Sequence, residues 1–313
     1  MENHTEVSHF ILLGLTSLQG QQLFLFPLFL LLYVASLLGN GTILAVVLAE
    51  PRLHKPMYFF LGNLSCLDIC YCTVTVPKML AGFLSGHQAI SFAGCLAQLH
   101  FFHLLGSSEA ILLAVMSYDR YVAICNPLRY RLVMNPQACL LLATATWVTG
   151  FLHALMHTVM TSRLHFCGPN HVPHFFCDIK PLLSLACGNT RLNLSLLKIV
   201  TGGIVIGPFL LTVLSYICII SFLFLKVQSR ESRVKAFSTL SSHFMVVTFQ
   251  YVPTTFNYVM PILGDSPERD MIATLMYTIV ISVLNPLIYT LRNQEVKTAL
   301  RKVLGRKLFV GRT

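Results

Sequence analysis

The sequence predicts an all-α membrane protein, a bundle of seven membrane-spanning helices with a short amphipathic helix after the last, and three observations carry that expectation. Of 313 residues, 55% are hydrophobic and 11% charged, against roughly 25% charged in an ordinary soluble domain. The apolar residues gather into seven segments, each near the ~20 residues that a helix needs to cross a ~30 Å hydrocarbon core. The basic residues, finally, crowd onto one side of the membrane that those segments define. A soluble globular fold is excluded. The formal charge of +10 would suggest nucleic acid only if Lys and Arg formed a patch on a soluble surface, and they do not.

In chain order, an N-tail of residues 1–22 holds no Lys or Arg and no small-residue cleavage site. It does not read as a signal peptide, so the first span is expected to start insertion. The spans are predicted at Leu23–Ala49, Pro56–Leu80, Phe92–Cys125, Ala138–Met160, Leu194–Leu225, Lys235–Ile262 and Met271–Leu291. Short connections leave no room for a second domain; the exception is Thr161–Asn193, a polar loop rich in Cys and His. Fifteen of the 22 Lys and Arg fall on one side: Arg52, Lys55, Arg129, Arg131, Lys226, Arg230, Arg233, Lys235 and the seven of the tail 292–313. Cytoplasmic loops hold such an excess, so the N-terminus is expected outside and the C-terminus inside, at the plasma membrane. Within Asn293–Lys307, Val296, Leu300, Val303 and Leu304 recur at helical spacing among basic residues. That pattern suits a helix lying on an anionic inner leaflet.

Ionisable groups inside a bilayer are functional hypotheses by default. Counted from the cytosolic ends, Asn40, Asp68 and Glu109 all lie ~15 to 18 Å deep, with Asn285 ~10 Å deep. Two carboxylates at one depth cannot both stay ionised and unpaired: one keeps a proton, or a cation such as Na⁺ sits between them, unless the group is only a neutral packing cluster. At the cytosolic end, Asp119-Arg120-Tyr121 closes the third span, with Tyr216, His243 and Tyr289 expected to face it, the makings of a two-state helix contact. Cys95, Cys167, Cys177 and Cys187 fall on the oxidising side, where two disulfides are expected among three possible pairings. His100 with His103, and His153 with His157, are spaced as metal ligands could be. Helix-borne histidines are more commonly satisfied by hydroxyls, and no metal is expected. No nucleophilic triad, phosphate loop or water-exposed carboxylate pair occurs, so an enzyme is not expected.

A ligand site is expected in the outer third of the bundle. His103 lies ~25 Å above Arg120 on the third span, with Ser107 one turn below it. On the sixth, Tyr251, Thr255 and Tyr258 form one stripe. An apolar cavity with a few orienting polar groups is the usual small-molecule site; the competing use of such a stripe is interhelical hydrogen bonding.

Five motifs carry a resemblance over nearly the whole chain: Leu53-His54-Lys55-Pro56-Met57-Tyr58, Met116-Ser117-Tyr118-Asp119-Arg120-Tyr121-Val122-Ala123-Ile124-Cys125, Ser215-Tyr216, Lys235-Ala236-Phe237-Ser238-Thr239 with Ser242-His243, and Leu284-Asn285-Pro286-Leu287-Ile288-Tyr289. They resemble the odorant receptors within the rhodopsin-like G-protein-coupled receptors, and the loop from Cys177 to Cys187 is similar to that of the tetrapod-type, class II branch. The resemblance implies a receptor that binds a small odorant and activates a heterotrimeric G protein of the stimulatory, olfactory type, raising cAMP. It implies Asp68 and Glu109 as a Na⁺-linked pair, with no other cofactor, and Arg120 as the arginine that meets the G protein. It also implies a Cys95–Cys177 bridge, which leaves Cys167 for Cys187. Phe102 stands where amine-binding relatives carry an acidic group, so a neutral ligand is expected. Three positions depart from the family pattern: Ser117 for Ala, Leu240 for Cys, and Gln250-Tyr251-Val252 for Phe-Tyr-Gly. A receptor for a non-volatile endogenous metabolite outside the nose would share every motif; an ion-coupled transporter would show inverted repeats, and none is visible. Asn3 is the expected glycosylation acceptor.

Overall fold

The computed structural model describes residues 7–16, 19–86, 88–167, 169–258 and 267–310, so the acceptor expected at Asn3 lies outside the described residues. Strand β1 (His9–Leu12) precedes helix α1 (Gln19–Ala49). Helix α2 (Pro56–Ser85) opens on a proline, whose missing N–H has no intrahelical acceptor at that position in any case, and stops at Gly86, which takes the left-handed conformation (φ 67°) that glycine tolerates best. Strand β2 (Ala89–Ser91) runs into α3 (Phe92–Cys125), where the Ser91 hydroxyl oxygen accepts from the Gly94 N–H as an N-cap. A short α4 (Tyr130–Val133) leads to α5 (Pro136–Ser162), capped in the same way by Asn135. The long loop holds β3 (His165–Phe166), β4 (His171–Val172), α6 (Ile179–Leu185) and β5 (Ala186–Cys187).

The fifth span is α7 (Arg191–Leu196), a wide π turn over Leu197–Thr201, and α8 (Gly202–Leu225). The sixth is α9 (Arg230–Tyr258). The seventh is α10 (Pro267–Leu275), a second π turn over Met276–Val280, and α11 (Ile281–Arg292); α12 (Gln294–Val310) follows.

Seven helical spans thus form the bundle, and several run past their predicted ends. The starts at Leu23, Ala138, Leu194, Lys235 and Met271 move out to Gln19, Pro136, Arg191, Arg230 and Pro267, and the end at Leu80 moves to Ser85. Apolar length marks the hydrocarbon layer, whereas the helix continues through the interface until a cap or proline stops it. Among the described residues six helices are long and apolar enough to cross a membrane; α9 is not among them because polar residues run along it, from Arg230 to Lys235 and on through Ser238, Thr239, Ser241, Ser242, His243 and Gln250. α3 is the central post: 72% of its most apolar window is buried inside the protein, against 17% for α1.

One element of the N-tail went unforeseen. β1 lies in the middle of a three-stranded sheet, antiparallel to β2 and parallel to β4, so the tail is stitched to the loops between spans. Its Phe10 is 1% exposed and meets Phe166 edge-on at 5.2 Å. At the opposite face of the bundle α12 buries Val296 and Ala299, and two ion pairs pin it: Lys55 to Glu295 at 2.8 Å and Lys302 to Glu50 at 2.7 Å.

Candidate ligand cavity and activation switch

A cavity of about 40 Å³ opens between α3, α5, the fifth span, α9 and the seventh span, on the side of the bundle where the sheet lies. On that measure one water needs on the order of 10 to 15 Å³, so the space is narrow. Its walls are mainly apolar and aromatic, including Phe102, Ala110, Ile204 and Val205, with His103, Ser107, Gln250 and Tyr258 among the polar groups. Both π turns contribute to it, through Thr201 and Tyr277. Gly150 lets α5 close on α3: a Cβ there would stand 2.7 Å from the Leu104 carbonyl oxygen.

That close approach brings α5 histidines to α3 hydroxyls. Ser107 Oγ is 2.7 Å from His153 Nδ1, and Thr201 Oγ1 is 2.9 Å from His153 Nε2 and 3.0 Å from His157 Nε2. His100 pairs with Thr158. Hydroxyls therefore partner these rings: Ser107, His153, Thr201 and His157 form one chain, of which the first three border the cavity. His153, His157 and Thr201 were missed as site residues; the i, i+4 histidine spacing was their signal.

The stripe assigned to the sixth span is corrected. Thr255 does not border the cavity, and Tyr251 is turned under it, donating its hydroxyl to the Ala110 carbonyl at 2.6 Å. The bordering residues are Gln250, Thr254 and Tyr258. The spacing i, i+4 is compatible with several faces of one helix, and only packing against α3 selects among them.

Over the cavity lies the long loop. Cys95 is bridged to Cys177 and Cys167 to Cys187, and the Gln98 side-chain oxygen accepts from the Cys177 N–H at 2.9 Å. The loop is tied to α9 and α10 as well: Tyr258 donates to Asp178 at 2.9 Å, and Lys180 meets Asn257 at 2.9 Å and Asp270 at 3.2 Å. Inside the loop, buried His174 stacks on Phe175 at 4.7 Å. Burial pulls its basicity down to about 4; Asp178 opposes the shift and Lys180 adds to it.

In mid-bundle, Asn285 donates to both oxygens of Asp68, at 3.2 and 3.0 Å. Asn285, placed by depth just below the carboxylates, thus reaches into their layer. Asn40 donates to the Ser282 carbonyl at 2.8 Å. Glu109 is fully buried and neither of its oxygens has a hydrogen-bond partner among the described residues.

At the α12 end, Arg120 forms an ion pair with Asp119 at 3.0 Å, and the other Asp119 oxygen accepts from Tyr130 on α4 at 2.8 Å. Tyr216, His243 and Tyr289 stand close enough for the Arg120 charge to act on them, and Tyr130, which sequence reading did not name, reaches it through Asp119. Burial and the adjacent Asp119 carboxylate raise the pKa of Tyr130 above its ordinary value, so the phenol stays protonated. Tyr216 hydrogen-bonds His243 across α8 and α9, while the buried Tyr289 hydroxyl has no partner.

A family model described as olfactory receptor matches residues 29–307. The chain belongs to the olfactory receptor family. Olfactory receptor 12D1 of Homo sapiens is 60% identical to this receptor over 99% of the chain and 97% of its own length. Human olfactory receptor 12D2 is 60% identical over 98% and 100%, and 12D3 is 57% identical over 99% and 98%. This olfactory receptor is accordingly a multi-pass membrane protein that binds odorants and couples to a G protein, and not an enzyme. The departures from the family pattern have places in the receptor: Gln250 borders the cavity, Leu240 packs with Tyr216, Ile219 and Leu223, and Ser117 donates to the Leu113 carbonyl at 2.9 Å.

Proposed function

We propose that the receptor detects a small, neutral, largely apolar odorant in the cavity walled by His103, Ser107, Thr254 and Tyr258 and signals through a stimulatory, olfactory-type G protein that raises cAMP. The observation that carries this reading is the cavity itself, apolar in most of its lining and provided with a few buried polar groups. The sheet side faces outward and α12 inward, in keeping with the excess of Lys and Arg on the α12 side. Asp68 and Glu109 together hold a Na⁺ that biases the resting state. The fit is chemical: two buried carboxyls near enough to act on one another, one with both oxygens unpartnered, offer the oxygen donors that a hard cation takes.

A broad odorant panel in cells carrying a cAMP reporter tests the reading. For any agonist found, Ser107→Ala and Tyr258→Phe should each weaken potency roughly tenfold, the worth of one hydrogen bond of about 1 to 1.5 kcal/mol. Unchanged potency in both, with both at the cell surface, would place the ligand elsewhere.

A further inference from the structure

Two side chains set the hydrogen-bonding sense of the cavity. His103 is 5% exposed, and its Nδ1 lies 3.0 Å from the Leu99 carbonyl oxygen, one turn back on α3. A carbonyl oxygen only accepts, so Nδ1 carries the ring hydrogen. The ring is neutral. Among the described residues no carboxylate hydrogen-bonds it, it abuts the rings of Phe102, His153, His157 and Tyr258, and an unpaired charge so placed costs several kcal/mol or more. A neutral imidazole with its hydrogen on Nδ1 presents a lone pair at Nε2. That Nε2 is buried and no group among the described residues bonds it. The same holds for the side-chain oxygen of Gln250, a residue 2% exposed. Both residues border the cavity.

The Gln250 amide carries a donor NH₂ beside its oxygen, so the unpartnered cavity atom of one fixed sense is His103 Nε2, an acceptor. Other hydroxyls there have committed their hydrogens: Tyr258 donates to Asp178, which leaves the Tyr258 oxygen able only to accept, Thr254 donates to the Gln250 carbonyl, and Thr201 is shared by two histidines. Tyr71, which also borders the cavity, and Ser107 remain able to donate or accept.

We propose that this cavity selects a ligand carrying a hydrogen-bond donor, a small alcohol or phenol, over the ketone, aldehyde, ether or ester of the same skeleton. The ligand O–H donates to His103 Nε2 or the Gln250 oxygen, while its own oxygen accepts from Ser107 or Tyr71. A carbonyl or ether oxygen leaves His103 Nε2 unmatched and sets lone pair against lone pair there. The inference rests on the cavity reading of the preceding subsection and narrows its ligand class.

The test uses the full-length receptor and matched probe sets on cyclohexyl, phenethyl and terpene skeletons, each as alcohol, carbonyl, methyl ether and acetate. Response is read as cAMP and as the ligand-induced rise in melting temperature of the detergent-purified chain, which needs no G protein. The alcohol of an active skeleton should lead its ether and carbonyl forms by about tenfold or more, and His103→Leu together with Gln250→Leu should erase that lead. Equal potency of alcohol and carbonyl or ether forms in the unaltered receptor overturns the inference, as does a lead that survives the two leucine substitutions together, or silence of every alcohol by both readouts. Val205→Trp, with Ala110→Leu as a milder filler, separates the two levels. Responses abolished by filling keep the cavity reading whatever the ranking, and responses that persist undiminished remove both.

Discussion

The hydroxyl of Tyr130 holds one oxygen of Asp119 while Arg120 holds the other. A hydrogen bond to a charged group contributes roughly 1.5 to 3 kcal/mol when well buried, and Tyr130 is only half-buried, so the low end applies. Tyr130→Phe should loosen the hold on Arg120 and raise ligand-free cAMP by up to roughly tenfold, with surface expression unchanged. Basal signal equal to that of the unaltered receptor would leave Tyr130 a packing residue. Deeper in the bundle, Glu109→Gln removes a charge whose oxygens find no partner, and Asp68→Asn weakens the hold of Asn285. Both should blunt the Na⁺ dependence of basal signalling, Asp68→Asn at least as much, because both bias one two-state equilibrium. Well-expressed variants with an undiminished Na⁺ response would show these carboxyls to be packing only. At this scale the sequence indicated which residue types were costly where they stood, but not their partners. Asp68 with Asn285, or Asp119 with Tyr130, requires knowing which helices touch.

Among the elements, the sheet over the cavity has the most consequences. Phe10 packs between Phe92 and Phe166 and joins the tail to two loops. Phe10→Ala should cost ~3 to 5 kcal/mol, seen as a lower melting temperature of the purified receptor and less of it at the cell surface. A melting temperature within a degree or so of the original would mean that the tail does not support the fold. The loop also carries His174, neutral in the fold down to about pH 4. Unfolded, it takes up a proton near 6.5. The unfolded loop therefore binds more protons between those values, and stability present above pH 6.5 is lost as pH falls toward 4, by about 3 kcal/mol at most. Hydrogen exchange of residues 171–185 should quicken from pH 7 to 5, and His174→Phe should flatten that dependence. β1 escaped sequence reading because four residues beside a polar tail have no periodicity of their own; their pairing comes from segments far along the chain. The π turns escaped for a related reason, since a single widened turn leaves the apolar pattern nearly intact.

For the whole molecule, seven apolar lengths and one lopsided distribution of charge were enough to read the architecture, because a bilayer permits so few alternatives. Orientation is checked at Asn3: endoglycosidase should shift the mass of the receptor but not that of Asn3→Gln. Equal shifts in both would invert the assignment of faces. What the alphabet of residues could not convey was rotation: the cavity takes Thr254 rather than Thr255, a difference of one position in thirty. The widened turns at Leu197–Thr201 and Met276–Val280 give that sensitivity a heritable form. Loss of one codon within either would restore an ordinary helix, turning everything on one side of it by about 100° and drawing it in by about 1.5 Å. The half of the span nearer the G protein would keep its register. A single deletion would then present a fresh set of side chains to odorants while the signalling machinery is inherited unchanged, a route by which a lineage of such receptors diversifies what it smells without relearning how to report it.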